Sequence, residues 1–98
     1  MSEVNLIVLL HAKSGKEAQL RENLVALVDP SRRETGNIRY DLFSDTQDAG
    51  RFVFVETWSD AQAQRKHHTE SEHIRRFHEH GESDVDSREL VILLERLV

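Results

Sequence analysis

Apolar positions in this chain fall into four short runs, separated by two stretches whose apolar residues recur at helical spacing. The first run, VNLIVLLHA at residues 4–12, is dense in Val, Leu and Ile and too short for an independent helix, so it reads as a strand. Side chains alternate along a strand, which puts Val4, Leu6, Val8 and Leu10 on one face and Asn5, Ile7, Leu9 and His11 on the other. Both faces are mostly apolar, and both are expected to be covered. Ser14 with Glu17 three residues later fits a helix-capping pair, and Leu20, Leu24, Leu27 and Val28 then recur on one side of the helix they open. Pro30 has no amide hydrogen and is expected to kink or end this helix near Asp29, before Gly36 releases the chain. IRYDLFS (38–44) and RFVFVETW (51–58) follow as a second and third strand, antiparallel across the polar connection DTQDAG.

In the third strand Phe52, Phe54, Glu56 and Trp58 share one side, so a carboxylate stands on an aromatic face. Ser59 or Asp60 caps a second helix carrying Ala61, Ala63 and His67, and TESEH offers a fresh start before Ile74 and Phe77. Two short helical segments with a break near Thr69 to Ser71 are therefore predicted. RELVILLERL (88–97) gives the last strand, again apolar on both faces. The order β-α-β-β-α-β is the ferredoxin-like α+β arrangement, an antiparallel-rich sheet with helices on one side. The other sheet face then needs a cover, and pairing with a second copy supplies it at about 25 cal/mol per Å² of apolar surface. A homodimer through the sheet face is the expectation.

Composition narrows the function classes. The 98 residues suffice for one domain, 1–98. An apolar fraction of 38% with 32% charged residues marks an ordinary globular chain. Thirteen Lys and Arg against 18 Asp and Glu, net −5 and without a basic tract, argue against a nucleic-acid partner. The absence of Cys removes thiolate nucleophiles and thiolate metal sites. No apolar run approaches the roughly 20 residues of a membrane span, and the first ten residues lack a basic leader segment, so no membrane contact and a cytoplasmic location are expected.

ETGNIRYDLFSD, then RFVFVETWSD, then HTESEHIRRF, in that order and spacing, resemble the antibiotic biosynthesis monooxygenase family, over nearly the whole chain. The resemblance implies a dimeric α/β barrel with a pocket between each sheet and its helices. It also implies one of several activities: cofactor-free oxidation of quinols, anthrones and similar aromatics, haem cleavage, or isomerisation of a phosphorylated autoinducer sugar. GNIRYD is especially similar to the corresponding strand of that isomerase, whereas Asn5 stands out of register for the asparagine of the haem-cleaving enzymes. The positions matching the family are Glu56, Trp58, His68 and His73, with Asn37, Arg39 and Tyr40 in the second strand.

A cofactor-free oxygenase needs little more than a base and a shelter for the anion, because the substrate itself gives electrons to dioxygen. Histidine suits the base, with an ordinary pKa of about 6.5. His68 is the candidate; His67 points about 100° away on a helix and cannot share its pocket. Trp58 offers an indole for stacking and an N–H for orienting an oxygen, with Phe54 beside it on the strand. Glu56 needs a partner or an upward pKa shift, and Arg39 or Tyr40 on the neighbouring strand could provide one. His73 is a candidate for substrate contact, and Arg39 for holding a phosphate or enolate oxygen. No metal site is expected, since HExxH is absent and His68 and His73 are five apart. The leading expectation is a cofactor-independent monooxygenase taking a small quinol-like molecule and dioxygen. An isomerase of a phosphorylated enolisable molecule and a non-catalytic ligand-binding dimer are the alternatives.

Overall fold

The computed structural model describes residues 2–86 and 90–98. Its elements are β1 (Val4–His11), α1 (Glu17–Arg32), β2 (Asn37–Asp45), β3 (Asp48–Trp58), α2 (Ala61–Glu70), α3 (Glu72–His80), a short 3-10 turn (Glu82–Asp84) and β4 (Leu90–Leu94). The sheet is antiparallel in the order β2-β3-β1-β4, the ferredoxin-like topology. It is also open. The expectation of an α/β barrel is corrected here: β2 and β4 are edges that do not pair with each other. Four strands are too few to close around a packed interior, for which about eight are needed.

Alternation sorts the sheet into two unlike faces. Leu6 and Leu10 of β1, Tyr40 of β2 and Phe52, Phe54, Glu56 and Trp58 of β3 are buried beneath the helices with Leu20, Leu24 and Leu27 of α1. Among the described residues no element covers the opposite face, and Phe43, Leu90, Ile92 and Leu94 lie exposed on it. Among the described residues, no helix is long and apolar enough to cross a membrane.

Local details depart from sequence expectation in four places. Ser14 does not cap α1; the helix starts at Glu17 behind Lys16 with no side-chain cap, because Gly15 at φ +85° makes a turn there first. Pro30 does not end the helix, which runs to Arg32: it stands in the last turn, and buried Leu27 and Ser31 on either side of it anchor that turn. The β2–β3 connection is only Thr46–Gln47, closed by the Gln47 amide donating to Asp45 Oδ1 at 2.8 Å, so Asp48 to Gly50 belong to β3. The helix break falls at Ser71, whose backbone is extended. Arg88 and Glu89 of the expected last strand lie outside the described residues, and the strand ends at Leu94.

Gly36 fixes how α2 meets the sheet. Its φ is +89°, and a Cβ there would sit 2.6 Å from Ala63 Cβ and 2.9 Å from Ser59 Oγ. Only glycine gives α2 this approach to the start of β2.

Candidate functional site

Between the sheet and the helices lies a cavity of about 390 Å³. Its walls include Leu6, Val8, Phe54, Leu24, Ile74 and Phe77, and its polar lining comes from Tyr40, Glu56, Gln64, His67, His68 and His78. Apolar walls with a few convergent polar groups are the usual character of a small-molecule site.

Glu56 is 4% exposed, and its Oε1 accepts a hydrogen bond from Trp58 Nε1 at 2.9 Å. The two side chains share one face because they are two apart on β3. Register places Tyr40 directly opposite Glu56, but the partner of the carboxylate is the indole, not Arg39. Burial pushes the Glu56 carboxyl up from its ordinary 4.5 to about 7; the Trp58 bond opposes this and the Glu34 carboxylate adds to it. The Tyr40 hydroxyl is likewise raised by burial, then by the charge of Glu56, with Ser31 opposing the shift.

Of the two adjacent histidines, His67 is the buried one, at 5% exposure. Its ring lies 4.6 Å from the Trp58 ring and 5.3 Å from that of Tyr40. His67 Nδ1 donates to Glu34 Oε2 at 2.9 Å, which leaves Nε2 as the accepting nitrogen of the neutral ring. Burial holds His67 below the usual histidine range, against the pull of Glu34. His68 is exposed at the mouth of the cavity, 6.2 Å ring to ring from His78; the expectation that the two adjacent histidines cannot share a pocket is corrected here, since His67 lines its wall and His68 its rim.

The other expected site residues divide. Glu56, Tyr40, Phe54 and His68 line the cavity together. Trp58, fully buried, stands behind Glu56 rather than on the cavity surface. His73 lies in a cluster with Glu34 and His67, its Nε2 2.9 Å from Glu34 Oε1 and 3.0 Å from Ser31 Oγ. Arg39 is on the open face of the sheet, where it and Arg32 both donate to Asp41, at 2.7 and 3.0 Å. Those bonds, Arg39's above all, hold the Asp41 carboxyl below its ordinary range. A second groove of about 870 Å³ runs over that face past Asn5, Arg39 and Thr57.

Two contributors were missed in the sequence. Glu34 is 33 residues from His67, and nothing local joins them. His67 had a signal: it follows Ala63 by one helical turn, and Ala63 is the residue that packs on Gly36.

Comparison with known proteins gives a consistent picture. The family model for antibiotic biosynthesis monooxygenase matches residues 4–80. "Putative monooxygenase YcnE" of Bacillus subtilis (strain 168) is 35% identical over 68 residues, 69% of this chain and 70% of that protein. The crystal structure of PA3566 from Pseudomonas aeruginosa aligns at TM-score 0.91 with 34% identity, covering 100% of this chain and 97% of that one. A crystal structure of an antibiotic biosynthesis monooxygenase aligns at TM-score 0.89 with 27% identity, covering 97% and 99%.

Proposed function

Because the chain belongs to the antibiotic biosynthesis monooxygenase family and is an enzyme of monooxygenase type, we propose that its helix-side cavity takes a quinol-like or otherwise enolisable aromatic, deprotonates it, and lets the anion react with dioxygen. At an enolisable methylene, CH2 and O2 give C=O and water; at a quinol, one oxygen atom becomes a ring hydroxyl while the quinol loses its two hydroxyl hydrogens to become the quinone, and the other atom leaves as water. The substrate supplies the electrons, so the chain's own task is to move a proton and exclude water.

The observation that carries this reading is Glu56: a nearly fully buried carboxyl, raised to about 7, on the lining of an apolar cavity. A base with a pKa near the working pH combines availability with driving force. Glu56 accepts the substrate proton, and His68 at the mouth passes it to solvent. Phe54 and neighbouring apolar residues hold the ring, while Trp58 and His67 keep the carboxylate wall in place.

A phosphorylated substrate finds less support in this cavity. None of its described lining residues is Lys or Arg, and Arg39 lies on the opposite face. The reaction is tested by oxygen uptake with a panel of small hydroquinones. Turnover is expected from the native chain, and a lower kcat with little change in KM from His68→Ala. No uptake with any quinol, alongside enolisation of a phosphosugar, would refute the reading.

The exposed apolar residues of the open face support a homodimer through that face, with the cavity of each copy on the far side of its own sheet. Sedimentation should give twice the 11.4 kDa chain mass, and Ile92→Glu should shift the species to monomer. A native chain that is monomeric at micromolar concentration contradicts this arrangement.

A further inference from the structure

Behind one wall of the proposed reaction site, which His67 shares, Glu34, His67 and His73 bring one carboxylate and two imidazoles together from three different segments. Glu34 stands in the segment after α1, His67 on α2 and His73 on α3. One ligand-type atom from each lies within 4.8 Å of the others. We propose that this cluster is a binding site for a divalent first-row transition ion, with zinc the best match to its donors.

The donor set is the first reason. Two imidazole nitrogens and one carboxylate oxygen are borderline ligands that suit zinc, and three protein ligands leave a fourth position for water. Spacing is the second. Bonds of about 2.0–2.1 Å in a tetrahedral site put ligand atoms about 3.3 Å apart. Glu34 Oε1 stands 3.2 Å from His67 Nδ1 and 2.9 Å from His73 Nε2, close to that spacing, and the three ligand atoms all lie within 4.8 Å, so closing on an ion takes shifts of an ångström or so.

Orientation is the third reason. The ring of His67 is held by Trp58 and Tyr40, and Ser71 Oγ donates to Glu34 Oε1. Groups of this kind, one contact beyond the ligands, set the direction of a metal site. Access is the fourth. A cavity of about 400 Å³ reaches the cluster from outside, with Glu70, Ser71 and Glu72 on its lining and Arg33 and Lys66 also present. It provides an entry path and room for a water ligand.

The ion would tie the end of α1 to the α2–α3 break. On binding, the proton that His67 Nδ1 now gives to Glu34 would move to Nε2, freeing Nδ1 as the ligand; because the same ring lines the helix-side cavity, the bound ion would stiffen one wall of the reaction site. It is assigned no chemical step.

The test uses untagged, full-length protein freed of metal. Calorimetric titration with zinc should show one ion per chain, and cobalt should give the intense visible absorption of a tetrahedral site. Both signals should fall in His73→Ala and Glu34→Gln by more than about 100-fold in affinity, since loss of even an outer contact costs about 10–100-fold. His80→Ala, at an exposed position, should bind as the native chain does. Circular dichroism reports whether each variant folds; should His73→Ala not fold, Glu34→Gln and the native titration decide. Absence of stoichiometric binding in the native chain overturns the proposal. So does native-like affinity in folded Glu34→Gln, or loss of binding in His80→Ala.

Discussion

Glu56→Gln is expected to lower kcat by about 10²–10⁴-fold, the usual worth of a positioned acid or base, while making the protein more stable above neutral pH. Burial is the cause of both effects. Glu56 titrates at about 7 in the fold against an ordinary 4.5, so the folded state holds this proton more tightly than the unfolded chain does. Between these values the folded state binds more protons, and stability falls as pH rises. Above about pH 7 the penalty levels off near 3 kcal/mol, taking about 1.4 kcal/mol per pH unit. Glutamine still accepts from Trp58 Nε1 but carries no charge, so the variant should match the native chain near pH 5 and exceed it by up to about 3 kcal/mol near pH 8. Urea unfolding at the two pH values measures this. A variant that is less active but no more stable at the higher pH would show that Glu56 is not held as a costly buried acid.

Trp58→Ala should be the most damaging single truncation, at about 3–5 kcal/mol, as for other large aromatic residues removed from a core. Trp58 is 0% exposed and meets His67 and Tyr40 ring to ring, at 4.6 and 6.3 Å. Its loss also leaves the buried Glu56 without its donor, and an unsatisfied buried acceptor adds about 1–3 kcal/mol of its own. Trp58→Phe separates these effects. It keeps most of the volume, should cost about 1–3 kcal/mol, and should push Glu56 further upward, moving the rising limb of the pH–rate profile to higher pH. Equal unfolding midpoints for Trp58→Phe and the native chain would argue that the indole bond contributes nothing.

The element order was legible because periodicity is written into single segments, whereas the near-equal apolar content of both strand faces hid which of them the helices would cover. VNLIVLLHA and RFVFVETW alternate as strands wherever they are placed, and alternation alone put Glu56 beside Phe54 and Trp58. It also bore on Arg39 and Tyr40: as neighbours on a strand they face opposite ways, and the structure leaves Tyr40 at the cavity and Arg39 on the open face. The choice between His67 and His68 turned on helix phase, which the approach of Ala63 to Gly36 sets across the molecule. The partnership of Glu34 with two distant histidines is a product of tertiary packing, and no spacing rule within either segment reports it. Ser14 shows the limit of a local motif, since the Gly15 turn moved the helix start past it.

The most direct measurement is the structure of the protein with a quinol analogue bound in the absence of oxygen. The ring should lie in the helix-side cavity against Phe54, with a hydroxyl within about 2.6–3.2 Å of the Glu56 carboxylate. A ring seated instead in the open-face groove beside Arg39, with the helix-side cavity empty, would contradict it.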